Sequence, residues 1–189
     1  MASHQKGARR GGRSIAFIDE SGLMLQPVVR RTWSPRGRTP IIKSWDRHDR
    51  LSAISALTIP PLRRRLGLHF DVQDRNFRTP DVYRFLSRLL SKLRRPLTVI
   101  LDRLSAHRGA AKRLEGRFGG RIKFEWLPAY APKLNPVEHV WGHTKYGDLA
   151  NYVPEDIDAL KGELIDSLER KRGDGGLLRS FFRQAKLKL

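Results

Sequence analysis

The 189-residue chain has no cysteine. This excludes disulfides, thiolate zinc sites and cysteine nucleophiles together, and it is compatible with a cytoplasmic location. Long hydrophobic runs are missing too, since none reaches the roughly eighteen apolar residues that a membrane-crossing helix requires. The N-terminal MASHQKGARRGG is basic but lacks the apolar stretch of a signal peptide. Acidic residues are scarce: 19 Asp+Glu stand against 38 Lys+Arg, a net charge of +19. So large an excess implies a polyanionic partner. The basic residues are spread along the whole chain and not gathered on one amphipathic helix, which favours nucleic acid over an acidic membrane surface. With 39% hydrophobic residues, the chain has enough apolar side chain to bury a core, and its length suits one domain.

No internal repeat occurs, and biased composition is limited to the Gly/Arg-rich lead at 6–13. Residues 1–13 are expected to be a flexible basic lead, with a single domain over 14–189. Ser14 to Ile18 is a short apolar run that predicts a strand, followed by turn residues Asp19-Glu20-Ser21-Gly22. Residues 24–33 suggest a second strand, and SPRGRTP at 34–40 a turn-rich loop. Leu51–Thr58 and Leu66–Val72 predict two more strands, joined through Pro60-Pro61, since proline cannot donate to a sheet ladder. Thr79-Pro80-Asp81 opens a helix, with Thr79 as the capping hydroxyl. Val82, Phe85, Leu86, Leu89, Leu90 and Leu93 then form one apolar stripe along it. Leu97–Leu101 is continuously apolar, the mark of a strand covered on both faces, and it stops at Asp102. A helix over about 108–117, a strand over Ile122–Leu127, a helix opened by Pro136 and a last helical region from Pro154 complete the chain. In that region Ile157, Leu160, Leu164, Ile165 and Leu168 share a face. This order predicts an α/β domain with a mixed sheet flanked by helices.

Asp19 and Asp102 both follow apolar strands. Side chains at such positions leave the core while staying rigidly held, which suits a ligand site, although an acid there also serves as a helix cap or turn former. Glu138 lies in the first turn of the helix after Pro136, where its charge complements the helix dipole. That local role leaves the surrounding string unexplained: Leu127-Pro128-Ala129-Tyr130-Ala131-Pro132-Lys133-Leu134-Asn135-Pro136-Val137-Glu138-His139-Val140-Trp141.

This string resembles the third motif of DDE-type transposases from bacterial insertion sequences allied to the mariner superfamily, L-P-x-Y-S/A-P-x-L-N-P-I/V-E-x-x-W. Every fixed position matches. Phe17-Ile18-Asp19-Glu20-Ser21-Gly22 is similar to the family's first motif, and Leu101-Asp102-Arg103-Leu104-Ser105-Ala106-His107-Arg108 to its second. The 35 residues between Asp102 and Glu138 resemble the family's interval. Arg31-x-Trp33 with Gly37 and Pro40 is similar to a segment after the first motif. The resemblance implies an RNase H-like fold of the retroviral-integrase type. It also implies metal-dependent DNA strand cleavage and strand transfer at transposon ends, with Asp19, Asp102 and Glu138 as catalytic residues holding two Mg²⁺ or Mn²⁺ ions. Implied partners are double-stranded DNA, both transposon ends and target, and a second copy of the chain in the active complex. A nucleoid-associated cytoplasmic location goes with that. Arg103 stands where many relatives have Asn, and only about a dozen residues precede the first strand, where relatives carry helix-turn-helix domains. The alternatives are a non-catalytic basic DNA-binding or assembly module and a structure-selective nuclease sharing the site.

Around these acids, Arg103, His107, Arg108, His139 and Lys145 are candidate contacts to DNA phosphates, His107 equally a packing residue. His139 and His143 are spaced like paired zinc ligands, but Val140 stands where the zinc-protease pattern needs Glu. Gly7 to Ser14 nearly fits a phosphate-binding loop, yet Arg13 replaces its lysine and the segment precedes a strand instead of following one. Trp33, Trp126 and Trp141 have the chemistry to stack on bases, but beside strands and helix starts such side chains are more often core, and Trp141 is expected to pack.

Overall fold

A computed structural model describes residues 12–43, 49–128 and 132–189. Nearly all of the basic lead, and Ala129, Tyr130 and Ala131 of the long motif, lie outside these residues. Five strands form one mixed sheet: β1 (Ser14–Met24), β2 (Arg50–Ile59), β3 (Gly67–Gln73), β4 (Leu97–Leu101) and β5 (Ile122–Trp126). Their order is β3-β2-β1-β4-β5. β1, β2 and β3 are antiparallel neighbours, while β4 and β5 run parallel to β1. The helices are α1 (Thr79–Leu93), α2 (Ser105–Phe118), α3 (Pro136–His143), α4 (Ile157–Gly173) and α5 (Gly175–Gln184).

Strand alternation divides the core in two. Ala16, Ile18, Ile54, Ala56, Val99 and Leu101 turn toward α1 and α2. Ile15, Phe17, Ala53, Leu57 and Ile100 turn toward α3, α4 and α5. The apolar stripe read on α1 is the face that packs, with Val82, Phe85, Leu86, Leu89 and Leu90 buried.

Four local expectations need correction. The segment 19–22 is not a turn, because β1 continues through it to Met24, paired with β2 from Asp19↔Ser55 to Met24↔Arg50. Turn-prone residues are carried here by ladder hydrogen bonds from a long partner, a tertiary effect on local preference. Residues past Met24 form no strand beyond a single bridge, Val28↔Ala150. Val29 and Trp33 in that segment are exposed, so no sheet or core holds them in a ladder. The cap of α1 is not Thr79: Arg78 precedes the helix, and its N–H donates to Asp81 Oδ2 at 3.0 Å. Asp81 is 5% exposed and also holds Arg75 through two bonds of 2.6 and 2.8 Å, so the acid three residues in does the capping. Finally, the last helical region is two helices. Asp156 caps α4 at Ala159 N–H (2.7 Å), and Asp174 caps α5 at Leu177 N–H (2.8 Å).

Candidate active site

Parallel pairing of β1 with β4 ends at Phe17↔Ile100, one residue before β4 itself stops. From Asp19 onward β1 is paired on one side only, with β2. Asp19 therefore sits where its neighbouring strand has just ended, beside Asp102. Alternation aims Asp19 to the face of Ile15 and Phe17, where α3 packs. Burial, then the charges of Glu138 and Asp102, push the Asp19 carboxyl up to about 7. Those causes place the three acids within one electrostatic neighbourhood. Among the described residues, however, no three acidic or imidazole groups stand close enough together to enclose a metal ion.

Asp102 is held by its own chain. Its Oδ1 accepts the Leu104 N–H at 3.1 Å and lies 2.5 Å from His107 Nδ1. α2 thus begins at Ser105, three residues before its expected start, with His107 in the first turn. The other ring nitrogen, Nε2, lies 3.0 Å from Glu20 Oε1. A neutral imidazole carries one N–H, and two carboxylates call for two. Burial alone would lower the His107 pKa, but the hydrogen bonds and charges of Asp102 and Glu20 outweigh it and raise it to about 9. Burial likewise opposes ionisation of Asp102, yet His107 and the Leu104 amide hold its carboxyl below the usual range. His107 is 1% exposed, so as a DNA contact it is corrected: it is an internal strut between two acids.

Glu138 is brought in by its helix start. Asn135 Oδ1 accepts the Val137 N–H at 3.2 Å, and Pro136 occupies the first helical position, where a missing N–H does no harm. The amide nitrogen of Asn135 donates to the Ile18 carbonyl at 3.0 Å, tying the α3 N-terminus to the residue before Asp19. Glu138 itself is exposed. After α3 the chain makes a wide π-helical turn over Thr144–Asp148. Lys145 in this turn feels both Glu138 and Asp19, although desolvation dominates and lowers its pKa. The turn is braced from α4, where Lys171, 1% exposed, donates to Asp148 and, at 2.7 Å, to Ser167 Oγ.

Of the remaining candidates, Arg103 and Arg108 are exposed at the start of α2, beside Asp102. His139 has its Nε2 buried, which removes that atom from DNA. His143 does not pair with it, since its Nδ1 lies 3.6 Å from Asp148 and its ring packs edge-on against Phe181. Trp141 is buried as expected, Trp126 stacks on Phe124, and Trp33 is fully exposed. The sequence showed Asn135 only as part of a helix start, without its tie to Ile18, and the roles of Glu20 and Lys171 were not read from it. For Asn135 a signal existed, the Asn-Pro helix start; for Glu20 and Lys171, partners far along the chain gave none.

Solved structures with a similar fold include complexes of the Mos1 mariner transposase. The Mos1 strand transfer complex matches with a TM-score of 0.67 at 14% identity, covering 98% of this chain and 56% of that one. The Mos1 mariner paired-end complex with Mn gives 0.68 at 15%, covering 98% and 57%. The paired-end complex with the left transposon end gives 0.67 at 14%, covering 97% and 56%. The present chain thus spans little more than half the length of these structures. At such identities the likeness concerns the fold, which is RNase H-like. No curated protein matches the sequence. The sequence profile of the DDE superfamily endonuclease matches residues 14–161, and the chain belongs to that family.

Proposed function

We propose that this domain cleaves DNA strands and transfers them at transposon ends, with Asp19, Asp102 and Glu138 as the catalytic acids. The observation that carries the reading is geometric: Asp19 and Asp102 lie at adjacent strand positions where β4 ends, and the Asn135 amide ties the helix start of Glu138 to Ile18, the residue before Asp19. Carboxylates are oxygen donors that a hard divalent cation prefers, and the mutual repulsion of neighbouring acids is what such a cation would relieve as it drew them together. Related transposase structures with Mn, with Mg and with a transposon end support the choice of metal and of substrate. Two such ions, when bound, would stabilise charge on the entering and leaving oxygens of a phosphodiester and make water a better nucleophile.

The chain's own residues supply the rest. Asp19 lies within β1 and Asp102 directly follows β4, which holds both rigidly, while Glu138 is directed toward them by a helix start anchored on β1. Lys145, next to Glu138 and Asp19, offers a cation to a scissile phosphate, and the exposed Arg103 and Arg108 extend the positive surface beside Asp102. The net charge of +19 suits duplex DNA over a long track, with a second copy of the chain engaging the other end.

Asp102→Asn and Glu138→Gln keep side-chain shape and lose the charge that holds a dication. Each is expected to lower Mg²⁺- or Mn²⁺-dependent nicking of transposon-end DNA by at least about a hundredfold, roughly 3 kcal/mol, while DNA binding persists. The assay uses transposon-end DNA with each metal and a chelator control. Cleavage that survives EDTA, or full-rate cleavage by Asp102→Asn, sinks the mechanism. A non-catalytic DNA-binding module would instead bind DNA and nick nothing with any metal.

A further inference from the structure

We infer that Glu20 and His107 are positioning residues, which set the orientation of the Asp102 carboxylate through an unbroken carboxylate–imidazole–carboxylate chain. The inference rests on the reading of Asp102 as a metal ligand. Glu20 follows Asp19 on β1, but alternation turns it to the opposite face, toward α1 and α2. It therefore cannot join Asp19 and Glu138 as a third ligand from its own strand. Its influence on the site runs through His107, whose Nε2 lies 3.0 Å from Glu20 Oε1 and whose Nδ1 lies 2.5 Å from Asp102 Oδ1.

Three features set this histidine apart from an ordinary packed one. It is 1% exposed, so its ring plane is fixed by the surrounding core. Both nitrogens end on acids, each from the end or extension of a different strand. And the Asp102 oxygen it takes is the same one that accepts the Leu104 N–H, which leaves Oδ2 without a protein partner among the described residues. Two donors on Oδ1 stop the carboxylate from turning about its Cβ–Cγ bond and dedicate Oδ2 to an outside cation. Without Glu20, the ring loses the contact that fixes one edge, and the Asp102 carboxylate regains that rotation. Hydrogen-bond partners of a metal-binding carboxylate govern affinity by about 10–100-fold in such arrangements.

The test measures Mn²⁺ binding without DNA or turnover. The free-ion signal in electron paramagnetic resonance is followed during titration of the intact chain and of Glu20→Ala, Glu20→Gln and Asp102→Asn. Melting temperatures in EDTA are recorded beside it. Glu20→Ala is expected to weaken Mn²⁺ binding about tenfold. Glu20→Gln keeps an oxygen acceptor for the ring and should return affinity to within about threefold of the unsubstituted chain. Asp102→Asn should bind more weakly than either. A purely structural tie between β1 and α2 would lower the melting temperature of Glu20→Ala and leave its Mn²⁺ affinity unchanged, which overturns the inference while leaving Asp102 as a ligand. Undiminished Mn²⁺ binding by Asp102→Asn would overturn the metal reading itself, and the positioning role with it.

Discussion

The side-chain amide of Asn135 donates to the backbone carbonyl of Ile18 at 3.0 Å, across 117 residues of sequence. One side chain thus caps α3 and fastens it to β1 immediately before Asp19. Asn135 is 3% exposed, so its loss leaves a buried carbonyl and an uncapped helix. Asn135→Ala is expected to lower stability by about 2–3 kcal/mol, combining the lost cap with the orphaned acceptor. Asn135→Asp keeps the cap but cannot donate to Ile18. It should therefore lose DNA cleavage more than its melting temperature would account for. Chemical denaturation alongside a nicking assay separates the two effects; equal cleavage by both variants and the unsubstituted chain would remove Asn135 from the positioning of Glu138.

Asp19 gives the apo protein a pH signature. Its folded pKa, about 7, lies above the ordinary carboxylate value. Below pH ~4 both folded and unfolded chains hold the proton, and the difference costs nothing. As pH rises from ~4 to 7 the unfolded chain ionises first, so stability falls across that window. Fully buried, a rise of this size corresponds to about 4 kcal/mol, and partial exposure reduces it. In EDTA at pH 7.5, Asp19→Asn should melt roughly 3–6 °C higher than the unsubstituted chain, a gain of about 1–2 kcal/mol. The gap should close toward pH 4. Added Mn²⁺ should stabilise only the unsubstituted chain. A pH-independent gap in the apo proteins would contradict the assignment.

Lys171 and Asp148 form an ion pair in which the cation is 1% exposed, with Ser167 sharing the ammonium. Removing one partner strands the other. Lys171→Ala should lower stability by about 3 kcal/mol, whereas Lys171→Met combined with Asp148→Asn should lose less than that single change. Thermal melting of the set decides it. Because the braced turn carries Lys145, DNA affinity of Lys171→Ala should also fall at temperatures where the protein stays folded.

DNA binding by the chain should be steeply salt-dependent and nearly indifferent to sequence, because phosphate contacts dominate at a charge of +19. Affinity for random duplex is expected to drop about a hundredfold or more between roughly 50 and 200 mM salt. Fluorescence anisotropy on two unrelated duplexes measures both properties. A flat salt response would mean that the excess charge serves some other partner.

By itself the sequence determined the layered α/β class and located the five strands of the sheet, along with a sixth at 24–33 that does not form; it also singled out the three acids and a bias toward nucleic acid. Each of these is written locally: in the apolar run Leu97–Leu101, in the stripe of α1, in the Asn-Pro start before Glu138 and in the charge count. Tertiary structure decided what local rules could not. β1 runs through Asp19-Glu20-Ser21-Gly22 because β2 supplies ten paired residues, and that ladder outweighs the turn preference of those four. The segment after Met24 is no strand, because the described sheet offers it no partner. His107 became a strut and not a surface contact because burial between Glu20 and Asp102 depends on elements 87 and five residues away. Hydrogen-bond partners so far apart leave no periodic trace in a sequence, since only folding brings β1, the start of α2 and the end of β4 to one place.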